Sequence, residues 1–219
     1  PGREEKVFSY KQKKIGILIC EDLWRKTAER DPTGELAALQ PDLVLHISAS
    51  PYCIGQKQKR QEVISAAISR LHCPFVFCNL VGGADQLVFD GYSAYYNAEG
   101  QPLLEAGGFC EKELLIDTKV KQQIICFEEP IKDLHDALVL GLKDYFGKLG
   151  LKKACLGLSG GIDSAVTACL AVEALGANNL LTVAMPSRYS SLSSFEDARS
   201  LSHKLQVKLI DISIDRLFQ

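Results

Sequence analysis

The sequence predicts an α/β protein: an α/β layer whose later strands are antiparallel, followed by the start of a doubly wound parallel sheet. Two patterns and one bulk property lead there. In the first half, short apolar runs alternate with longer segments, and in the second half strand-like and helix-like periods alternate regularly. The chain has 219 residues, 47% hydrophobic and 24% charged, the composition of a globular protein of one or two domains.

The first-half strands are KIGILI (14–19), LVLHI (43–47), FVFCN (75–79), then LVFDG and SAYYN. Between the second and third, Val63, Ile64, Ala67, Ile68 and Leu71 recur at helical spacing and predict a helix over 56–71 behind a basic start. Tyr96 to Gly100 (YNAEG) is a turn signal between two strands, and ELLID (113–117) reads as a further strand. From about Cys126 the period changes. Ile131, Leu134, Leu138, Leu142, Tyr145 and Leu149 define one apolar face of a helix that closes near Gly150. A strand (154–158), a glycine turn, a helix (162–175) stopped by Gly176, and a strand (180–184) follow. A helix then begins near Ser193, where Ser193 and Glu196 have capping-box spacing, and a strand (207–211) comes last. Strand, helix, strand, helix, strand is the parallel doubly wound order. The interruption of the periodicity by EEP puts the domain boundary within 121–130, between domains 1–125 and 126–219.

A formal net charge of -2 with interspersed signs gives no footprint for tracking a nucleic-acid backbone. No apolar run approaches the roughly 20 residues that span a bilayer and PGREEK is no signal peptide, so the expected compartment is the cytoplasm. Eight cysteines, Cys20, Cys53, Cys73, Cys78, Cys110, Cys126, Cys155 and Cys169, form no CxxC pair. Most lie in apolar runs, which predicts reduced, buried thiols rather than a disulfide or zinc framework. The chain starts at Pro1 rather than Met and ends just beyond a predicted strand, and is expected to be a piece of something longer.

Gly157, Leu158, Ser159, Gly160, Gly161, Ile162, Asp163 and Ser164 join the end of a buried strand to the start of a helix. That junction carries the positive end of the helix dipole and unpaired backbone N–H groups, an anion site. Gly160 and Gly161 let the backbone approach a phosphate closely, and Ser159 and Ser164 add hydroxyl donors. There is no Walker A lysine and no third glycine of a dinucleotide fingerprint. Asp163 points to Mg²⁺, because a bare carboxylate would repel a pyrophosphate that a metal ion would bridge. The next loop, with Met185 and Arg188, should lie at the same carboxyl edge of the sheet. Read as local structure alone, these are a glycine turn with an N-cap and a solvated serine-rich loop.

Cys20 stands at the end of KIGILI beside Glu21 and Asp22, where a strand edge would present a nucleophile. Most isolated cysteines are instead small buried hydrophobes.

Resemblance sharpens both sites. SGGIDS resembles the signature of the ATP pyrophosphatases, which cleave ATP between its α- and β-phosphates to adenylate a substrate. MPSRYSS followed by DA is similar to the NAD synthetases, as is the upstream ALVLGLKDYF helix. GILICEDLW looks like the cysteine elbow of the nitrilase superfamily as found in glutamine-dependent NAD synthetases. The resemblance implies a partial nitrilase-like α-β-β-α layer over 1–125 and the start of an adenine nucleotide alpha hydrolase-like domain over 126–219. It implies adenylation of the carboxylate of deamido-NAD by ATP with Mg²⁺, and displacement of AMP by ammonia that Cys20 releases from glutamine.

The family's Glu and Lys lie upstream of its cysteine motif, and no position in 1–19 matches them; Glu4, Glu5 and Lys6 are not candidates. The piece by itself is therefore expected to be inactive. Ser50, in SASPY, matches the family's glutamine-binding segment, and where the family has GK this chain has Gly55, Gln56 and Lys57, so either Gln56 or Lys57 fills that role. The resemblance further implies a homo-oligomer with an ammonia tunnel. Rival functions are another ATP pyrophosphatase, which would carry a GxCxG nucleophile or paired cysteines, and a non-catalytic nucleotide-binding module.

Overall fold

The structure is a computed structural model that describes residues 6–24, 30–117, 129–189 and 191–215. The chain divides into two compact units, one of 1–82 with 86–137 and one of 83–85 with 138–219.

The first unit opens with β1 (Lys6–Tyr10) and β2 (Lys13–Ile19), an antiparallel pair. A single 3-10 turn (Cys20–Leu23) leaves β2, and after it come α1 (Pro32–Ala38), β3 (Leu43–Ser48), α2 (Gln56–Leu71) and β4 (Phe75–Asn79). Then follow β5 (Val81–Ala84), β6 (Leu87–Asp90), β7 (Ala94–Tyr96) and β8 (Pro102–Glu105). The main sheet has the order β1-β2-β3-β4-β7-β8; β2, β3 and β4 are parallel, and β7 joins β4 antiparallel as the sequence predicts. Parallel neighbours need a crossover, and the helices supply it. Period-two alternation sends Leu18, Val44, Phe75 and Phe77 to the helix-covered face, where they pack with Leu36, Ile64, Ile68 and Leu71. Ile19 and Ile47 sit opposite each other in register on the other face and are exposed.

The second unit contains most of α3 (Pro130–Lys148), whose first residues, through Ala137, count with the first unit. It continues with β9 (Ala154–Gly157), α4 (Ile162–Leu175), β10 (Leu180–Ala184), α5 (Leu192–Lys204) and β11 (Lys208–Asp211). The sheet order β11-β10-β9 is wholly parallel, with Leu158, Ala168, Ala171, Leu180, Ala198 and Val207 at its core. The protein is thus of the α/β class the alternating periods predict.

Three expectations need correction. ELLID (113–117) is not a strand: it takes no strand pairing among the described residues, and Leu115 is 93% exposed. The cap of α5 is Ser191, whose hydroxyl accepts from the Ser194 amide at 3.1 Å; the helix starts ahead of the capping-box pair read at Ser193 and Glu196. Of the seven described cysteines all are free thiols, but only Cys73 is buried; Cys78 and Cys155 lie on exposed sides of their strands. Cys126 and nearly all of the boundary segment 121–130 lie outside the described residues. The sequence reading also passed over β1, α1 and β5, which are short or weakly patterned.

Candidate functional site

Cys20 is the first residue beyond β2 and adopts φ +47, the left-handed region. A non-glycine residue persists there only when its surroundings over-determine it, at a cost on the order of 1–3 kcal/mol. Two contacts do so here. The Ile19 amide donates to Asp22 Oδ2 at 3.0 Å, closing the turn from the strand side, and His46 Nε2 lies 3.0 Å from the Cys20 carbonyl oxygen.

After β3 the chain crosses the carboxyl edge of the sheet through Ala49, Ser50 and Pro51. Asn79 grips the Ser50 peptide from both sides: its Oδ1 accepts from the Ser50 amide at 2.8 Å and its Nδ2 donates to the Ser50 carbonyl at 3.2 Å. Behind it Arg60 Nη1 donates to Asp90 Oδ1 at 2.9 Å, Arg60 Nη2 pairs with Asp90 Oδ2, and Arg60 Nη1 also reaches the Ser50 hydroxyl at 3.5 Å. Arg60 and Asp90 are both buried, and a two-point guanidinium–carboxylate pair satisfies charges that would otherwise be costly in that setting.

The result is a cavity of about 330 Å³ lined by Cys20, Glu21, Trp24, Ala49, Ser50, Pro51 and Gln56, within the range of small-molecule sites. Gln56 lines the cavity; Lys57 is buried elsewhere, with Nζ 3.3 Å from Glu105 Oε2 and 4.4 Å from the Tyr92 ring centroid. A somewhat larger cavity, about 360 Å³, runs along Ser48, Asn79, Tyr92 and Cys110 and contains none of the predicted site residues.

In the second unit the glycine turn is built as the sequence requires. Ser159 Oγ accepts from the Gly161 amide at 3.2 Å, and the Ser159 and Ser164 hydroxyls lie 3.0 Å apart. Ser164 Oγ in turn accepts from the Ser159 amide at 3.2 Å and donates to the Gly161 carbonyl at 3.0 Å. Gly160 has φ +81, and an added Cβ would lie 2.0 Å from the Ser194 carbonyl oxygen. Gly157 leaves room for Met185, whose Cε would be 3.2 Å from a Cβ at that position. Leu158, Ser159, Ala184, Met185, Pro186, Ser194 and Phe195 line a cleft of about 100 Å³ at the carboxyl ends of β9 and β10. Ile162 and Asp163 begin α4 after the turn and are exposed.

Arg188 is not part of this cleft: its backbone amide and Nε both donate to Asp215 Oδ1, at 2.8 and 3.3 Å. Asp163 is exposed in the first turn of α4, and among the described residues no group of three His, Cys, Asp or Glu side chains could hold a metal ion alone. One free carboxylate beside a phosphate cradle still fits Mg²⁺, which is bound through one or two carboxylates plus substrate phosphates.

The sequence reading missed His46, Asn79, Arg60 and Asp90, which hold the loops that carry Cys20 and Ser50. For His46, Asn79 and Asp90 the signal was a polar or charged side chain in an apolar run, as in LVLHI, FVFCN and LVFDG.

The chain is thus an α/β protein with a cysteine turn at the carboxyl edge of one parallel sheet and a serine–glycine turn at that of another. Residues 134–219 match the NAD synthase family model. The chain is 40% identical over 221 residues to the glutamine-dependent NAD(+) synthetase of Synechocystis sp., covering 94% of this chain and 40% of the relative. It is 35% identical over 213 residues to that of Acinetobacter baylyi, covering 94% and 39%. The structure of glutamine-dependent NAD+ synthetase from Acinetobacter baumannii in complex with ADP superposes with a TM-score of 0.89 at 35% identity, over 99% of this chain and 41% of that one. That of Cytophaga hutchinsonii gives 0.80 at 21% identity, over 97% and 40%, a likeness of fold. The chain spans about two fifths of the length of the curated relatives it matches. It resembles a stretch of a glutamine-dependent NAD synthetase.

Proposed function

We propose that this chain is part of an ATP-dependent ligase that converts deamido-NAD to NAD with ammonia drawn from glutamine, 1–125 serving as amidase and 126–219 as synthetase. One observation carries this function: a single chain holds a cysteine elbow cavity and an SGGIDS turn, each at the carboxyl edge of a parallel sheet.

In the amidase, Cys20 Sγ attacks the side-chain carbonyl carbon of glutamine. The C–N bond breaks, the departing nitrogen takes a proton and leaves as ammonia, and water cleaves the thioester to glutamate. Ser50 and Gln56, which share the cavity with Cys20, orient the glutamine. In the synthetase, a deamido-NAD carboxylate oxygen attacks the α-phosphorus of ATP and pyrophosphate departs. Ammonia then attacks the acyl carbon and AMP leaves. The amides at the N-terminus of α4 and the Ser159 and Ser164 hydroxyls bind the pyrophosphate oxygens, and Gly157, Leu158, Gly160, Gly161 and Met185 shape the space for the nucleotide. Mg²⁺, held by Asp163 and the phosphates, would neutralise charge on the leaving pyrophosphate. Arg188 belongs to the nucleotide site only if it leaves Asp215 on binding.

Among the described residues no helix is long and apolar enough to cross a membrane. We place the protein in the cytoplasm as a homo-oligomer.

The test is NAD and pyrophosphate formation from ATP and deamido-NAD by the complete protein, with glutamine or ammonia as nitrogen source. Both sources should support synthesis, and Cys20→Ala should abolish the glutamine-driven reaction alone, because free ammonia bypasses the thioester. Loss of both reactions, or retention of both, would remove Cys20 from its role; no pyrophosphate with deamido-NAD would remove the substrate.

A further inference from the structure

His46 is wholly buried. The parallel register sets it beside Leu18, two residues before Cys20, and its Nε2 lies 3.0 Å from the Cys20 carbonyl oxygen. A carbonyl only accepts, so the contact requires the hydrogen on Nε2. Nδ1 is then a bare acceptor, and it is a buried atom with no hydrogen-bond partner among the described residues. Two rings fix the plane of the imidazole: Phe77 stacks on it with centroids 5.5 Å apart at 26°, and Phe75 lies at 6.0 Å and 47°.

Packing alone does not account for a histidine here. An apolar side chain would fill the space between Phe75 and Phe77 without burying an unpaired nitrogen. What the imidazole adds is one aimed N–H. It reaches the peptide carbonyl of a residue at φ +47, whose orientation decides where the Cys20 side chain stands relative to the cavity with Ser50 and Gln56. Burial holds the ring below its ordinary pKa against the opposing influence of the Cys20 carbonyl and Asp22, so the ring is kept neutral and donates from one nitrogen.

We propose that His46 is a positioning residue for the Cys20 thiol: its Nε2–H, held in plane by Phe77, fixes the Cys20 carbonyl and keeps the elbow in the left-handed turn that presents the thiol to the cavity. This deepens the function proposed above and rests on Cys20 being the nucleophile.

The test uses the complete protein. His46→Leu removes the donor at similar volume, and His46→Gln restores an N–H near the position of Nε2. For His46→Leu, kcat of glutamine-driven synthesis should fall about 10- to 100-fold, the scale of a misplaced reacting group, with KM moved by no more than about threefold. Iodoacetamide labelling of Cys20 should slow to a similar degree, ammonia-driven synthesis should stay unchanged, and His46→Gln should recover most of the loss. Wild-type kcat and labelling in His46→Leu, or a loss that His46→Gln does not restore, overturns the proposal. Cys20→Ala run alongside separates the two assignments. Glutamine turnover that survives Cys20→Ala refutes the nucleophile itself; turnover abolished there but intact in His46→Leu refutes His46 alone. Should His46→Leu not fold, nitrogen-15 shifts of the wild-type imidazole decide: a neutral ring protonated at Nε2 supports the proposal, and a proton on Nδ1 overturns it.

Discussion

Replacing Gly160 by alanine should disable the nucleotide half through two separable effects. The first is backbone conformation: φ of +81 costs an alanine about 1–2 kcal/mol. The second is collision. The new Cβ would stand 2.0 Å from the Ser194 carbonyl oxygen and 2.7 Å from its carbon, whereas real Cβ contacts essentially never fall under 3.0 Å. Backbone cannot rotate out of the way as a side-chain tip can, so the glycine turn and the first turn of α5 must part by about 1 Å, a displacement worth about 100-fold in rate when it falls in a reacting site. We therefore expect ammonia-driven synthesis by Gly160→Ala to lose at least about 100-fold in kcat/KM, with ATP affinity reduced as well. Two neighbours dissect the cause. Gly161 has φ -84, and its Cβ would meet only the rotatable Ser159 Oγ at 3.3 Å, so Gly161→Ala should be mild for the fold and act, if at all, through the nucleotide space. Gly150 has φ +68 with nothing within 4 Å of a Cβ, so Gly150→Ala should lower stability by about 1 kcal/mol and leave turnover alone. Wild-type ATP affinity and turnover in Gly160→Ala, or equal loss of stability in Gly161→Ala, would refute the steric reasoning.

Asp90→Ala should cost about 3–5 kcal/mol in urea unfolding, because it strands the buried Arg60 guanidinium; a loss under about 1 kcal/mol would mean that water reaches Arg60. The Cys73 thiol, pushed up to about 11 chiefly by burial, has only about one molecule in a thousand ionised at pH 8. Its alkylation should therefore wait for unfolding, while exposed Cys53 and Cys78 are modified in the native state; prompt labelling of Cys73 in a peptide map would show that the region beneath β4 opens.

What was legible in the sequence is what local pattern controls. The bounds of α2, α4 and β10 follow from helical period, Gly176 and a short apolar run, and the structure reproduces them. The residues of both motifs lie at strand ends because the motifs are themselves strand-to-helix turns. Illegible was whatever depends on partners distant in the chain. ELLID has the apolar centre of a strand but takes no strand pairing among the described residues, and the thiols of Cys78 and Cys155 sit in apolar runs on the exposed sides of their strands. That Lys57 is held by Glu105, 48 residues away, no local reading could supply. Likewise the clamp on Ser50 joins positions 29 residues apart.

Trp24 is the only tryptophan of the chain, and it lines the same cavity as Cys20, Ser50 and Gln56. An indole emits according to the polarity and mobility of what surrounds it, so for this stretch of polypeptide ultraviolet emission is a local optical gauge. A ligand that enters this cavity changes the surroundings of that ring, so its arrival can be followed in stopped flow by selective excitation of the indole, without attaching a dye.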